Sequence, residues 1–195
     1  GRSGRKTGRA ALFALAVFLI INGTIYFDRR FNPPSGPNLI ILMVDALRKD
    51  HLGGYGYRRD TTPNLDRFAA ENLRYPNVTA ASSWTNPSIA SFFTSLSVST
   101  HGCLSYMDDR TNRLDPALVT LAEGLREKNY STGAFVANHL LKGSLHFDQG
   151  FDVYDGISDA YKPSAAQVNR KALEWIYSRN GRPFFAYLHY MDVHG

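Results

Sequence analysis

A short, continuously apolar run early in the chain ends at an aspartate. The residues from Leu39 to Val44 carry no polar side chain, and Asp45 follows directly. Such a run is typical of a strand in a parallel sheet that helices cover on both faces, because neither side of the strand then meets water. Ligands of open α/β sheets gather outside the carboxyl ends of the strands, so Asp45 stands where a binding site is expected.

The rest of the chain alternates between strand and helix patterns. This alternation predicts an α/β fold with a mainly parallel sheet and helices on both faces. The further elements are strands over 132–136 and 184–191 and helices from Thr62, from Asp115 and over about 164–179.

The amino-terminal segment predicts a membrane anchor. Residues 1–9 hold four basic side chains, and residues 10–27 are apolar apart from Asn22, Gly23 and Thr24. A span of this length behind basic residues predicts one transmembrane helix with a cytoplasmic amino terminus. We therefore expect a tail over 1–9, an anchor over 10–27, a proline-rich linker over 28–37 and an extracytoplasmic domain over 38–195.

Two other interpretations of residues 10–27 are weaker. A cleaved signal peptide needs a small-residue cleavage site, and Asn22-Gly23-Thr24 is a poor one. A buried soluble helix normally keeps one polar stripe, and residues 11–21 have none. The anchor remains the favoured interpretation.

The charge distribution argues against a nucleic-acid partner. The net charge of +5 falls almost entirely on the four basic residues of the first nine positions, and the other basic and acidic residues nearly cancel. A nucleic-acid-binding domain needs a basic face, and the sequence shows no such cluster. Cys103 is the only cysteine, so no disulfide can form within the chain.

Thr85 begins a second well-marked helical pattern. The apolar side chains of Ile89, Phe92, Phe93 and Leu96 fall on one face of it. A hydroxyl at a helix start can attack a phosphorus or sulfur centre while the helix dipole helps to bind the anion. Thr85 could also be an ordinary helix cap, and Asp45 could simply cap a turn.

Polar residues also follow the two later strands. Asn138-His139 and Asp192-Val193-His194 fall at predicted strand ends, as Asp45 does. The carboxyl ends of parallel strands meet at one edge of a sheet, so these groups are expected to converge. Each histidine taken alone could equally be structural.

Several stretches together resemble the sulfatase family of the alkaline-phosphatase superfamily. The resemblance runs from about 37 to 195, with the matching segments in the family's order and spacing. They are 37–48 with Asp45, 52–56, 61–66, 83–95 with Thr85, 100–102, 147–152 and 188–195.

The resemblance implies an alkaline-phosphatase-like fold and a role for each candidate. It implies that Asp45 binds a divalent metal ion and that Thr85 is a nucleophile that also touches the metal. It implies that His139 contacts the ester and that His194 binds oxygens of an anionic ester substrate. Ca, Mn and Zn cannot be distinguished from these residues.

Three positions depart from the usual sulfatase pattern. Sulfatases carry Cys or Ser at the nucleophile, which is oxidised to formylglycine, and Thr85 cannot become that aldehyde. Ile89 stands in place of an arginine, and Ala46 in place of a second aspartate. The resemblance therefore shifts toward threonine-nucleophile members, which include membrane-anchored phosphotransferases and phosphonate or phosphodiester hydrolases.

Three functional hypotheses follow. The first is a membrane-anchored enzyme acting on phosphate esters through Thr85, the second a sulfuric ester hydrolase, and the third a non-catalytic membrane-tethered module. The chain lacks an initiator methionine and ends at Gly195, so we expect it to be an amino-terminal fragment. The family supplies further metal ligands downstream, so we expect this fragment alone to be inactive.

Overall fold

Four parallel strands form the centre of the fold. The computed structural model describes residues 36–104, 111–156 and 163–194. The strand order in the sheet is β1-β4-β2-β3, and every neighbouring pair is parallel. The strands are β1 (Leu39–Val44), β2 (Ser131–Val136), β3 (Val153–Asp155) and β4 (Phe184–Tyr190).

Five α-helices and three short 3₁₀ turns connect the strands in the described segments. The helices are α1 (Pro63–Glu71), α2 (Thr85–Thr94), α3 (Val98–His101), α4 (Leu121–Glu127) and α5 (Ala165–Tyr177). The 3₁₀ turns are Lys49–His51, Gly53–Tyr55 and Gly143–Leu145.

The side chains of β2 separate two cores. Ala134 and Val136 join a cluster with residues of α2 and α4, whereas Phe135 and Ala137 join a second cluster with residues of α5. Successive side chains of a strand point to opposite faces, so helices cover both faces of the sheet at β2. The predicted parallel α/β architecture is confirmed.

The strand β1 is less enclosed than its sequence predicts. Ile40 is 48% exposed and Leu42 is 60% exposed, and within the described residues β1 pairs only with β4. The expectation that both faces of β1 are buried is therefore wrong for the described part of the chain. Ile41 and Met43 on its other face do pack against the core of α2 and α4.

The helix predicted from Asp115 begins later than its sequence pattern suggests. Helix α4 begins at Leu121 rather than near Asp115, because Thr120 and Glu123 form a reciprocal capping box there. Asp115 instead accepts a 2.9 Å hydrogen bond from the backbone N–H of Ala117 in a turn.

The predicted membrane segment lies outside the described residues. The tail over 1–9 and the anchor over 10–27 both precede residue 36, where the description begins. Among the residues from 36 onward that are described, no helix has the length and apolar character needed to cross a bilayer.

Candidate functional site

The site forms where β1, β4 and β2 end together. The register pairs Met43 with His189 and Val44 with Tyr190. The backbone N–H of Asp45 extends this ladder with a 3.0 Å bond to the carbonyl of Tyr190. Because the strands are parallel, their ends bring Asp45 close to residues that lie far away in sequence.

One carboxylate oxygen of Asp45 is the centre of the site. Its Oδ2 accepts hydrogen bonds from Thr85 Oγ1 at 3.1 Å, Asn138 Nδ2 at 2.8 Å and His189 Nε2 at 3.2 Å. Burial alone would raise the pKa of Asp45, but the hydrogen bonds from His189, Thr85 and Asn138 outweigh it and lower this pKa to about 2. Asp45 is therefore a carboxylate at neutral pH.

Thr85 is the first residue of helix α2. The N-cap position belongs to Trp84, and the hydroxyl of Thr85 is directed to Asp45. The hydroxyl therefore lies at the amino end of a ten-residue helix, where backbone N–H groups have no partner within the helix. This is an arrangement that favours a bound anion next to the hydroxyl.

The neighbouring Asn86 fixes the first turn of α2. Its side chain is 1% exposed, and Nδ2 donates to the carbonyls of Asn112 at 2.9 Å and Leu140 at 3.1 Å. These two carbonyls belong to separate segments of the chain. Asn86 therefore ties the start of α2, and with it Thr85, to the surrounding structure.

His189 connects Asp45 to the interior of the protein. Its Nδ1 lies 2.8 Å from the hydroxyl of Tyr187, and its Nε2 lies 3.2 Å from Asp45 Oδ2. The exposed fraction is 1% for His189 and 0% for Tyr187. The two side chains thus form a buried polar path from the core to Asp45.

A pocket of about 570 Å³ opens beside Asp45 and Thr85. Trp84, which is 52% exposed, and His194 also line it. The remaining lining residues are small, hydroxyl-bearing or apolar side chains, together with His189: Met43, Val44, Ala46, Leu47, Ala80, Ser82, Ser83, Ser88, Ile89 and Leu140.

The predicted candidates do not all meet in this pocket. Asp45 and Thr85 are in contact, and His194 lines the same pocket. His139 is exposed and is not among the lining residues, whereas its neighbour Asn138 reaches Asp45. The catalytic roles of Thr85, His139 and His194 and the metal role of Asp45 and Thr85 stay predictions.

Sequence reasoning missed His189 as a member of the site. The only local signal is a histidine within an otherwise apolar and aromatic strand. Asn138 also stands at the end of a predicted strand, but the resemblance implies the role for its neighbour His139. The course of the backbone after β2 determines which of these two side chains faces Asp45, and a sequence pattern does not fix that course.

Two of the positions that depart from the sulfatase pattern lie at the pocket. Ala46 has φ of 57°, which is the left-handed region that disfavours residues with a Cβ atom. Ile89 is 4% exposed and packs in the core of α2 and α4. The turn at Ala46 directs the chain away from β1 immediately after Asp45.

The donor types suit a hard divalent cation, but the donors are too few. Asp45 and Thr85 offer a carboxylate and a hydroxyl, and no hydrogen bond among the described residues engages Asp45 Oδ1. Calcium and magnesium take about six or more oxygen ligands. Within the described parts of the chain, no group of three or more His, Cys, Asp or Glu residues could hold a metal.

Comparison with known proteins gives a family. The sulfatase family model matches residues 37–195. Steryl-sulfatase from Rattus norvegicus is 34% identical over 115 residues, which are 55% of this chain and 20% of that protein. The matched stretch is therefore about a fifth of that relative's length.

Solved structures share the fold at lower sequence identity. A protein bound to its substrate D-glucosamine-2-N,6-O-disulfate aligns with a TM-score of 0.70 and 23% identity over 81% of this chain and 35% of that chain. The phosphonate monoester hydrolase of Agrobacterium radiobacter aligns with a TM-score of 0.59 and 18% identity over 82% of this chain and 42% of that chain.

Proposed function

Because the chain belongs to the sulfatase family, we propose that the complete protein is a metal-dependent hydrolase or transferase that acts on phosphate esters through Thr85. One observation carries this proposal. The hydroxyl of Thr85, at the amino end of α2, donates to the ionised carboxylate of Asp45 beside an open pocket. A nucleophile, a charged partner and an anion-binding helix end therefore coincide.

Asp45 orients the Thr85 hydroxyl rather than removing its proton. A general base is most effective when its pKa lies near the working pH. The pKa of Asp45 is lowered to about 2, so its carboxylate is a poor proton acceptor at neutral pH. Its hydrogen bond instead directs the lone pairs of Thr85 Oγ1 toward the pocket.

The proposed reaction is a displacement at phosphorus. Thr85 Oγ1 forms a bond to phosphorus and the bond from phosphorus to the leaving oxygen breaks. The hydroxyl proton of Thr85 passes to solvent water, and the leaving oxygen takes one proton from His194. Water, or an acceptor alcohol in a transferase, then attacks the phosphothreonine ester and restores the hydroxyl. No oxidant or reductant is required.

His194 is the proposed proton donor to the leaving oxygen. It lines the pocket that contains Thr85, and an imidazole can exchange protons near neutral pH. The predicted contact between His139 and the ester is part of this proposal. His139 is exposed and does not line the pocket. Trp84 offers an aromatic surface for the alcohol part of the ester.

Asp45 and Thr85 are the proposed ligands of a divalent ion from this part of the chain. When bound, such an ion neutralises charge that develops on the ester oxygens and lowers the pKa of a coordinated hydroxyl. Calcium, manganese and zinc all remain candidates. The further ligands that a stable site requires have to come from outside the described residues.

The proposal also includes a membrane location. The basic residues of 1–9 and the apolar segment 10–27 support a single span with the domain from residue 38 on the extracytoplasmic side. Protease added to intact cells should cleave the domain and leave only the tail and the span protected. Release of the protein by alkaline carbonate would contradict the anchor.

The test compares two aryl esters with the same leaving group. We expect full-length protein with a divalent metal to hydrolyse bis(p-nitrophenyl) phosphate in preference to p-nitrophenyl sulfate. Thr85→Ala should abolish turnover. Thr94→Ala is the matched control, because Thr94 lies in the same helix but bonds to the carbonyl of Ala90. Loss of turnover in both variants would contradict a nucleophilic role for Thr85.

A sulfuric ester hydrolase is the second candidate. The name of the rat relative and the disulfated substrate of the solved complex support it. Thr85 cannot supply formylglycine, so this candidate requires direct attack by a hydroxyl on sulfur. A preference for the aryl sulfate that still depends on Thr85 would replace the phosphate-ester proposal with this one.

A membrane-tethered module without catalytic activity is the third candidate. The replacement of the expected arginine by Ile89 and of the second aspartate by Ala46 supports it. This candidate predicts no turnover of either ester by the folded, metal-loaded parent protein. Normal folding of the parent without activity would therefore favour the module.

A further inference from the structure

The buried pair formed by Tyr187 and His189 has a defined hydrogen-bond direction. Asp45 Oδ2 also accepts from the amide nitrogen of Asn138, which can only donate, so this oxygen is an acceptor and the ring nitrogen that faces it, His189 Nε2, carries a proton. Burial raises the pKa of Tyr187 well above its ordinary value, so the phenol keeps its proton and can donate to Nδ1. In a neutral imidazole one nitrogen donates and the other accepts, which is what these partners require.

We propose that His189 is a positioning residue for Asp45 and Thr85, and that Tyr187 holds its imidazole in the Nε2–H form. The proposal rests on the proposed function, because Thr85 is taken as the nucleophile. His189 does not need to touch substrate or exchange a proton. It acts by fixing the carboxylate oxygen that receives the Thr85 hydroxyl.

Burial explains why Tyr187 and His189 can hold the carboxylate of Asp45 in one position. Both side chains lie in β4, two positions apart and on the same face of the sheet, and both are almost fully enclosed. The Tyr187 ring also packs edge-on against Phe93 of α2, with the ring centroids 5.0 Å apart. The pair therefore links the sheet to the helix that carries Thr85.

The Tyr187–His189 pair affects the site through the carboxylate of Asp45. Oδ2 accepts three donors, and none of the hydrogen bonds of the described residues reaches Oδ1. Fixing Oδ2 in this way leaves Oδ1 available for a cation. Groups that orient a catalytic ligand in this way usually change activity by about 10- to 100-fold when they are removed.

Substitutions at His189 separate positioning from proton transfer. His189→Gln keeps one donor and one acceptor but cannot titrate, whereas His189→Phe removes both polar contacts. We expect His189→Gln to keep most of kcat and His189→Phe to lose about 10- to 100-fold in kcat with little change in KM. Equal loss in both variants would overturn the proposal and indicate a proton-transfer role.

Substitution of Tyr187 supplies a readout that does not depend on turnover. Tyr187→Phe should leave the fold intact but release the preference for one tautomer, which the ¹⁵N chemical shifts of the His189 ring report directly. Tyr130→Phe is the matched control, since Tyr130 is also buried and donates to the carbonyl of Pro37 at the amino ends of the strands, away from the site. Unchanged His189 shifts in Tyr187→Phe would overturn the assigned direction.

The two measurements also separate this inference from the proposed function. The His189 signals are identified by their absence in His189→Gln, in full-length protein labelled with ¹⁵N-histidine. If the parent hydrolyses neither ester, the proposed function fails whatever the shifts show. If the parent is active and depends on Thr85, but His189→Phe turns over like the parent, only the positioning role is overturned.

Discussion

The hydroxyl of Thr85 donates a 3.1 Å hydrogen bond to Oδ2 of Asp45, and 40 positions of sequence separate the two residues. Asp45 follows the last residue of β1, and Thr85 is the first residue of α2. The contact therefore fixes a helix start against a strand end. It gives the site a charged group and a hydroxyl whose relative position depends on the whole fold.

The charge of Asp45 should stabilise the fold in a pH-dependent way. The pKa of Asp45 is lowered from 3.8 to about 2, so above pH 4 its ionisation contributes at most about 2 kcal/mol. Between these two values the unfolded state binds more protons, so this contribution is lost as the pH falls toward 2. Asp45→Asn should therefore lower the free energy of unfolding at pH 7 and approach the parent near pH 2.5.

Urea unfolding of both proteins at pH 7, 4 and 2.5, followed by circular dichroism, measures this difference. Asp115→Asn serves as the control, because Asp115 is exposed and bonds only within its own turn. A difference between parent and Asp45→Asn that stays constant down to pH 2.5 would show that its cause is not the ionisation of Asp45.

The backbone at Ala46 should tolerate glycine unusually well. Its φ of 57° costs a residue with a Cβ atom about 1 kcal/mol, and glycine avoids that cost. Glycine also loses more entropy on folding, so we expect Ala46→Gly to change the free energy of unfolding by between 0 and about +1 kcal/mol. The same change at Ala70, in the exposed part of α1, should cost about 1 kcal/mol.

Thermal unfolding of the two variants beside the parent tests the sign. Ala46→Gly should melt at or above the temperature of the parent, and Ala70→Gly below it. An equal decrease in both variants would mean that the turn after Asp45 does not strain the backbone.

The fold was predictable because its signals are local. The runs that form β1, β2 and β4 and the amphipathic patterns of α2 and α5 each occupy a few consecutive residues. The start of α4 was also locally encoded, since Thr120 and Glu123 have the spacing of a capping box, but Asp115-Pro116 offered a competing start. The exposure of the Ile40 and Leu42 side chains depends instead on which other elements pack against β1.

The site was predictable only in part, for a related reason. Asp45 and Thr85 follow from a strand end and a helix start, which sequence patterns reveal. His189 reaches Asp45 because β4 lies beside β1 in a register that pairs His189 with Met43. That register is a property of the assembled sheet, and no spacing along the chain encodes it.

Gly150 should accept no other residue. Its φ is 87°, and a Cβ atom there would lie 2.4 Å from the backbone nitrogen of Glu123. Because backbone cannot move aside as a flexible side chain can, we expect Gly150→Ala to lose about 3 kcal/mol or more in the free energy of unfolding.

Gly124 is the matched control for this prediction. It lies inside α4, where an added Cβ atom would meet nothing within 4 Å. Gly124→Ala should therefore raise the free energy of unfolding by about 0.5–1 kcal/mol through helix propensity. Chemical denaturation of both variants checks the pair, and a stable Gly150→Ala protein would mean that α4 can move away from this turn.

The amide of Asn86 should be essential to the start of α2. Its Nδ2 donates to the carbonyls of Asn112 and Leu140 in a site with 1% exposure. Asn86→Asp keeps the shape of the side chain but places a carboxylate against two carbonyl oxygens and removes both donors. We expect a loss of about 3 kcal/mol or more in the free energy of unfolding at pH 7.

The pH dependence identifies the cause of that loss. Burial and the facing carbonyls disfavour the charged form, so the pKa of the new carboxyl should be raised in the folded state and the loss should shrink as the pH falls below that pKa. Asn64→Asp, in the exposed first turn of α1, should change stability by less than about 0.5 kcal/mol. Urea unfolding from pH 7 to pH 4 compares the two variants. A loss in Asn86→Asp that is independent of pH would point to the missing donors alone, and no loss at all would show that Asn86 does not anchor the helix carrying Thr85.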